Sequence, residues 1–118
     1  MLPVRKTIQH ADTDVFVAIA HPVRRQLLDM LTQKDQSVTE LAEPFAMTRP
    51  AVSQHLRILL DAGLVSEQRH GRERRYQLQA ERLLEVQHWL RTYQRFWQNR
   101  LEALGTYLDK TSEGGNER

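Results

Sequence analysis

The sequence of 118 residues lacks cysteine, lacks any long apolar run and has little excess charge of either sign. Without cysteine the chain cannot form disulfides, thiolate metal sites or a cysteine nucleophile. No run of about 18 apolar residues is available to cross a membrane, and the first residues lack the apolar stretch of a signal peptide. We therefore expect a cytoplasmic protein.

Basic residues barely outnumber acidic ones, but several of them are clustered in one short segment. The chain has 17 Lys and Arg against 15 Asp and Glu, and a net charge of +2 does not by itself indicate a partner. One short segment holds a run of basic side chains opposed by Glu73 alone: Arg69, His70, Arg72, Arg74 and Arg75. Such a run either contacts nucleic-acid phosphates or is a solvated charge run that protects a strand edge.

Capping residues and apolar spacing predict three short helices in the first half of the chain. Asp12 or Thr13 is expected to cap a first helix, which ends before Pro22 because proline suits the first turn of the next helix. Ser37 and Glu40 have the spacing of a capping box, which predicts the start of a third helix.

A fourth helix and a hairpin follow. Thr48 is a suitable N-cap, and Gly63 is expected to end the helix in the left-handed conformation. The segments LVSEQRH and RRYQLQ then alternate roughly every second residue and flank Gly71-Arg72-Glu73, which predicts a β-hairpin. Two short helices joined by a tight link and followed by a basic hairpin have the layout of a winged helix-turn-helix.

The last part of the chain has the spacing of one long helix, in which Leu83, Leu90, Trp97 and Leu104 recur every seven residues. The expected fold is therefore mainly α with a small β-hairpin, in the order α-α-α-α-β-β-α. We expect a flexible segment over residues 1–11, one winged helix-turn-helix domain over 12–109 and a disordered tail over 110–118.

The fourth helix has two chemically different sides. At about 100° per residue, Val52, Leu56 and Leu59 gather on one side. Ser53, Gln54 and Arg57 gather on the other side, and they suit the DNA major groove because Gln can pair with adenine and Arg with guanine. An ordinary amphipathic surface helix has the same pattern. The preceding short helix and the basic hairpin favour nucleic acid.

Several short motifs occur in one order along the chain: His21-Pro22-Val23-Arg24-Arg25, Ala51-Val52-Ser53-Gln54-His55-Leu56, Ala62-Gly63-Leu64-Val65 and Gly71-Arg72. Over roughly residues 15–108 they resemble the ArsR family of bacterial transcriptional repressors. The resemblance implies a homodimeric repressor that binds a palindromic operator in double-stranded DNA, at the nucleoid. It implies recognition positions on the fourth helix and a wing tip at Arg72. The DNA-binding candidates are Thr48, Arg49, Ser53, Gln54, His55, Arg57, Arg69, Arg72, Arg74 and Arg75.

The resemblance further implies that the first and last helices form the dimer interface. The sequence supports this independently, because five of its eight aromatic residues lie on the last helix, too many for one small domain to cover. Packing of all of them within their own domain is the alternative. The interface candidates are Phe16, Leu83, Val86, Trp89, Leu90, Tyr93, Phe96, Trp97, Leu101, Leu104 and Leu108.

Metal sensing is not expected. Many ArsR proteins bind metals through cysteines, which this chain lacks. At a second family site the ligand positions hold Ala80, Arg82, Tyr93 and Phe96, none of which is a usable zinc ligand. We expect no metal and no cofactor. Whether the aromatic residues bind an organic effector or only form the dimer core is left open.

Two other classes of protein are alternatives to a DNA-binding repressor. The first is an interaction module whose long aromatic helix binds a partner protein, with DNA binding secondary. The second is an enzyme, which is not expected because no Ser/His/Asp set, glycine-rich phosphate loop or metal triad can be assembled from the sequence.

Overall fold

The computed structural model describes residues 13–116, and the side chains as far as residue 111. The predicted flexible segment over residues 1–11 lies outside the described residues. The described chain divides between two compact units, residues 13–86 and 87–116. The predicted domain bounds at 12 and 109 stay a prediction.

Helix α1 spans Val15–Ala18, and its cap differs from the prediction. The Asp14 carboxylate accepts a hydrogen bond of 2.7 Å from the backbone N–H of Phe16. Asp14 is extended and directly precedes the first helical residue, so its side chain reaches the free N–H groups of the first turn. The prediction of Asp12 or Thr13 as the cap is wrong.

Helix α2 spans Pro22–Leu31, with the predicted proline in its first turn. The N-cap is His21, whose Nδ1 accepts a hydrogen bond of 3.1 Å from the backbone N–H of Val23. Helix α3 spans Val38–Ala42 and begins with the predicted capping box. In that box Ser37 accepts a hydrogen bond from the backbone N–H of Glu40, while the Glu40 carboxylate accepts one from the backbone N–H of Ser37.

Helix α4 spans Arg49–Asp61 and has the predicted ends. The Thr48 hydroxyl accepts a hydrogen bond of 3.2 Å from the backbone N–H of Ala51. Gly63 ends the helix with a φ of 75°, a left-handed conformation that glycine adopts without steric cost.

Strands β2 (Val65–His70) and β3 (Glu73–Leu78) form the predicted antiparallel hairpin. Gly71 opens its turn with a φ of 67°. A third strand, β1 (Gln36–Ser37), pairs with β3, so the sheet order is β1-β3-β2. Strand β1 was not predicted, because two residues are too few to show an alternating pattern. This strand joins the N-terminus of α3 to the hairpin.

The core of residues 13–86 is formed by leucines from α2, α3 and α4 together with the first residues after α4. The largest side chains that are fully buried include Leu27, Leu41, Leu56, Leu59 and Leu64. The helices therefore pack with their apolar sides together, which leaves the opposite side of α4 and the hairpin for solvent.

A 3₁₀ turn over Ala80–Leu83 leads into helix α5, which spans Leu84–Asn116. The helix continues beyond residue 109, where the sequence analysis ended the folded domain. The Thr111 hydroxyl donates a hydrogen bond of 2.9 Å to the carbonyl of Tyr107, which ties its side chain to the preceding helical turn.

Candidate DNA interface

The two sides of α4 are arranged as the helical wheel predicts. Val52, Leu56 and Leu59 are completely buried in the core. On the other side Gln54 and Arg57 are exposed and Ser53 is half-buried. We call Ser53, Gln54 and Arg57 the polar face of α4. Together with Pro50, these three residues line a shallow depression of about 440 Å³.

Arg57 lies along this face because it is paired within the helix. Its Nε is 3.3 Å from Oδ1 of Asp61, one turn further along, and 71% of its side chain is exposed. An exposed pair of this spacing is worth only about 0.3–0.5 kcal/mol. Arg57 can therefore leave Asp61 for a stronger bidentate partner at little cost.

A polar cleft of about 470 Å³ lies between the N-terminus of α4 and the hairpin. It collects several of the predicted DNA-binding residues, which the sequence separates by more than twenty positions. Nη2 of Arg49 donates a hydrogen bond of 2.6 Å to Oγ1 of Thr39 on α3, so the Arg49 side chain is held across the cleft. The cleft is lined by Ser37, Val38, Thr39, Arg49, Ser53, His70, Arg72, Glu73 and Arg74.

The four hairpin arginines have different surroundings. Arg69 and Arg72 are exposed, and neither forms an ion pair with any of the described residues. Nη1 of Arg74 is 3.1 Å from a carboxylate oxygen of Glu67, although Arg74 still lines the cleft. Arg69, Arg72 and Arg74 therefore form the cationic surface of the hairpin.

Arg75 is placed differently from the other hairpin arginines. Its Nη2 donates a hydrogen bond of 3.0 Å to the backbone carbonyl of Asp35 and lies 3.6 Å from the Glu40 carboxylate. Its Nη1 lies 3.3 Å from Glu73. These partners hold β3 to the segment around β1 and α3, so the structure uses Arg75 to fix the hairpin. Thr48, another candidate, is occupied as the cap of α4.

His55 does not lie on the polar face of α4. Its Nδ1 is 3.0 Å from Nη1 of Arg24 on α2, and its ring centroid is 4.5 Å from that of His21. Desolvation lowers the pKa of His55, and the positive charges of His21 and Arg24 lower this pKa further. The structure thus brings together Arg49, Ser53, Arg72 and Arg74, but it separates His55 and Arg75 from them.

Two residues of this region, Thr39 and Arg24, were not predicted from the sequence. Thr39 lines the cleft and holds Arg49, but a lone threonine on a short helix carries no recognisable signal. Arg24 was noted only as part of a motif. An arginine at an inward position of an amphipathic helix, four residues before the apolar Leu28, was the available signal.

The apolar candidates for the dimer interface fall into two groups. Leu83 and Val86 are half-buried against the core of their own unit. The other group is exposed and consists of Phe16, Trp89, Leu90, Tyr93, Phe96, Trp97, Leu101, Leu104 and Leu108. Exposures of 40% for Trp97 and 66% for Phe96 are unusual for aromatic side chains.

Comparisons with known proteins now decide the family. The family model described as "Bacterial regulatory protein, arsR family" matches residues 21–67. The transcriptional repressor SdpR of Bacillus subtilis is 36% identical over 77 residues, which cover 65% of this chain and 86% of the relative. The chain belongs to the ArsR family. The match to the family model contains α2, α3, α4 and the start of the hairpin, and therefore the whole polar face of α4.

Further ArsR-type proteins extend this likeness. The HTH-type transcriptional regulator Rv2034 of Mycobacterium tuberculosis is 37% identical over 97 residues, which cover 82% of this chain and 86% of the relative. The crystal structure of an ArsR family transcriptional regulator superimposes with a TM-score of 0.64 at 35% identity, covering 70% of this chain and 91% of the other. The winged-helix fold is confirmed, and the chain is a DNA-binding transcriptional regulator.

Two further observations concern only the described residues. Residues 13–116 contain no helix long and apolar enough to cross a membrane. Within that same range no group of three or more His, Asp or Glu side chains is placed to hold a metal ion. The family and the named relatives are regulators of transcription, a class distinct from enzymes.

Proposed function

We propose that this ArsR-family protein is a homodimeric repressor in the bacterial cytoplasm and that the polar face of α4 reads a palindromic operator. The observation that carries the proposal is the position of Ser53. It lies on the polar face and also lines the cleft that contains Arg49, Arg72 and Arg74. Groups suited to bases and groups suited to phosphates therefore form one continuous surface.

Base reading is assigned to Gln54 and Arg57. Gln54 is exposed, and its amide has the donor and acceptor needed for a bidentate pair with adenine. Arg57 suits guanine once it leaves Asp61, and such a bidentate pair contributes about 1–3 kcal/mol of discrimination. Ser53 can donate to a base or to a phosphate.

Phosphate contact is assigned to Arg49 and to the cationic surface of the hairpin. Arg49 lies at the first turn of α4, where the positive end of the helix also favours an anion. Arg69 and Arg72 present unpaired charges among the described residues, so no existing ion pair opposes their binding to DNA. Arg75 and His55 are left out of the proposed contact set because of their intramolecular partners.

Dimerisation is assigned to Phe16 and to the exposed apolar stripe of α5. This stripe consists of Trp89, Leu90, Tyr93, Phe96, Trp97, Leu101, Leu104 and Leu108. Leu90, Trp97 and Leu104 repeat every seven residues, a spacing that lets the same stripe on a second copy pack against it. A two-fold symmetric dimer presents two copies of α4, which supports a palindromic site with half-sites about 34–36 Å apart.

The exposed stripe of α5 also favours one second candidate, an interaction module that uses α5 to bind a different protein. The two candidates respond differently to reversal of the hairpin charge. If DNA binding is the function, reversing the hairpin charge with Arg72→Glu and Arg74→Glu abolishes regulation of a reporter gene. If the interaction module is correct, those changes leave function intact. Trp97→Ala impairs function in both cases, because Trp97 lies in the surface that each candidate assigns to binding another chain.

The proposed function is tested by selecting duplexes from a random-sequence library with the full-length protein. Bound sequences are read out, and affinity for the best duplex is measured as salt is raised. We expect a palindromic consensus and a steep loss of affinity with salt, because bound phosphates release counterions. Arg57→Ala should lose base preference at one position in each half-site of the consensus. Arg91 is an exposed arginine of α5, and Arg91→Ala serves as the matched control because it should leave the consensus unchanged. Enrichment of no sequence, or binding independent of salt, would refute the proposal.

A further inference from the structure

Arg24 is a buried arginine that connects α1 to α4. It is only 9% exposed. Its Nε donates a hydrogen bond of 2.7 Å to the carbonyl of Ala18, and its Nη2 donates one of 3.3 Å to the carbonyl of Val17. Its Nη1 is 3.0 Å from Nδ1 of His55. One guanidinium therefore ties the last turn of α1 to the middle of the helix that carries the polar face.

The bond between Arg24 and His55 fixes the protonation state of the imidazole. A guanidinium has only donors, so Nδ1 of His55 must be the acceptor and must carry no proton. His55 is then neutral, with its proton on Nε2. Protonation would place a proton on Nδ1 and point two donors at each other. The contact seen here therefore exists only while His55 is uncharged.

The groups around His55 disfavour its protonation. His21, at the N-cap of α2, lies with its ring 4.5 Å from that of His55, and Arg24 projects from α2 itself. Neither can supply a negative charge that would offset a proton on His55. Among the described residues no carboxylate acts on the pKa of His55 to offset them, and desolvation lowers this pKa most.

We propose that Arg24 and His55 are a positioning pair, which holds α4 in its DNA-reading arrangement only while His55 is neutral. The pair touches neither base nor phosphate, and it acts through the neighbours of His55 on α4, Gln54 and Arg57. The inference rests on the proposal that the polar face of α4 reads DNA. Its consequence is that affinity for DNA falls as the solution becomes acidic.

The direction of the effect follows from proton linkage. In the arrangement described here, His55 binds a proton more weakly than it would without the Arg24 contact. Without that contact His55 would have the ordinary histidine pKa of 6.5. Acid therefore favours the arrangement that lacks the Arg24 contact, and affinity declines as the pH falls below that ordinary value. Between pH 7.5 and 5.5, one group with this ordinary pKa can lower the affinity for DNA by at most about tenfold.

A second histidine, the exposed His70 on the hairpin, lines the cleft proposed to bind phosphates. It has no part in the contact between Arg24 and His55. His70→Gln is therefore the matched control for His55→Gln, since each variant replaces one imidazole by an amide.

The first test measures affinity for the selected duplex by fluorescence anisotropy from pH 7.5 to 5.5 at constant ionic strength. In His55→Gln the amide oxygen can still accept from Arg24, but it does not titrate. We expect the wild type to lose up to about tenfold in affinity relative to His55→Gln over this range, and His70→Gln to keep this loss. Parallel pH profiles for wild type and His55→Gln would overturn the inference.

The second test needs no DNA and follows the imidazole signals of the free protein by NMR. We expect His55 to titrate below the free-histidine value and to move towards it in His21→Asn, which keeps an acceptor for the N–H of Val23. An ordinary pKa for His55 that does not respond to His21→Asn would overturn the inference. If no duplex is selected, the proposed function fails, while this titration still decides whether the pair exists.

Discussion

Arg49 and Thr39 join the two helices of the helix-turn-helix through a hydrogen bond of 2.6 Å between Nη2 and Oγ1. The bond spans the gap from α3 to the first residue of α4. It holds the exposed Arg49 guanidinium beside α3 at the cleft. An arginine that is already ordered loses less side-chain entropy when a phosphate binds.

Arg49→Ala should weaken DNA binding about equally for all sequences and should lower the slope of log affinity against log salt by about one unit per protomer. Thr39→Val keeps the charge and should leave the slope unchanged while weakening binding only slightly. Affinity titrations at several salt concentrations measure both quantities. An unchanged slope in Arg49→Ala would show that this arginine does not contact a phosphate.

Substitution of Arg72 should affect DNA binding, whereas substitution of Arg75 should affect the stability of the fold. Arg72→Ala should weaken DNA binding and lower the salt slope by about one unit per protomer, with no change in the free energy of unfolding. Arg75→Ala removes the contacts to Asp35, Glu40 and Glu73 and should lower the free energy of unfolding by about 1 kcal/mol. Urea denaturation and salt titrations distinguish the two. Equal stability losses would contradict the assignment of Arg75 as the residue that fixes the hairpin.

Trp97→Asp should disrupt dimerisation, since it places a charge in the apolar stripe of α5. The dimer should weaken by about thirtyfold or more, the effect of removing an aromatic residue worth about 2 kcal/mol. Gln98→Asp changes an exposed neighbour outside the stripe and serves as the control. Sedimentation across a concentration series gives the association constant. A Trp97→Asp protein that sediments like the wild type would show that this stripe does not join two copies.

Glu40 should contribute stability that is lost in acid. The N–H of Ser37 donates a hydrogen bond of 2.9 Å to its carboxylate and lowers the pKa of Glu40 below 4.5. A carboxyl group with a lowered pKa stabilises the fold above its unfolded pKa, and that stability disappears as the pH falls through its folded value. Glu40→Gln keeps the capping box without titrating. Its free energy of unfolding should therefore depend less on pH than that of the wild type below about pH 5.

Local chemistry made most of the fold predictable. The capping box at Ser37, the cap at Thr48 and the glycine that ends α4 each follow from the residues themselves. The strand β1 could not be predicted, because two residues acquire a ladder only when β3 lies beside them. The cap of α1 was misplaced because three adjacent residues, Asp12, Thr13 and Asp14, can all cap a helix.

The candidate site was predictable as a surface but not as a set of roles. Helical periodicity puts Ser53, Gln54 and Arg57 on one face without knowledge of any other element. The different roles of Arg72 and Arg75 depend on tertiary neighbours, since only the folded chain brings Asp35 and Glu40 to Arg75. The same holds for His55, whose partner Arg24 lies thirty-one positions earlier in the chain.

Operator selection with the wild type and with Arg57→Ala is the most direct test of the claim that the polar face of α4 reads the base sequence. We expect Arg57→Ala to bind its best duplex more weakly by about 1–3 kcal/mol per half-site and to lose base preference at one position in each half-site. All other positions keep their preference. The same consensus at every position for both proteins would contradict the account.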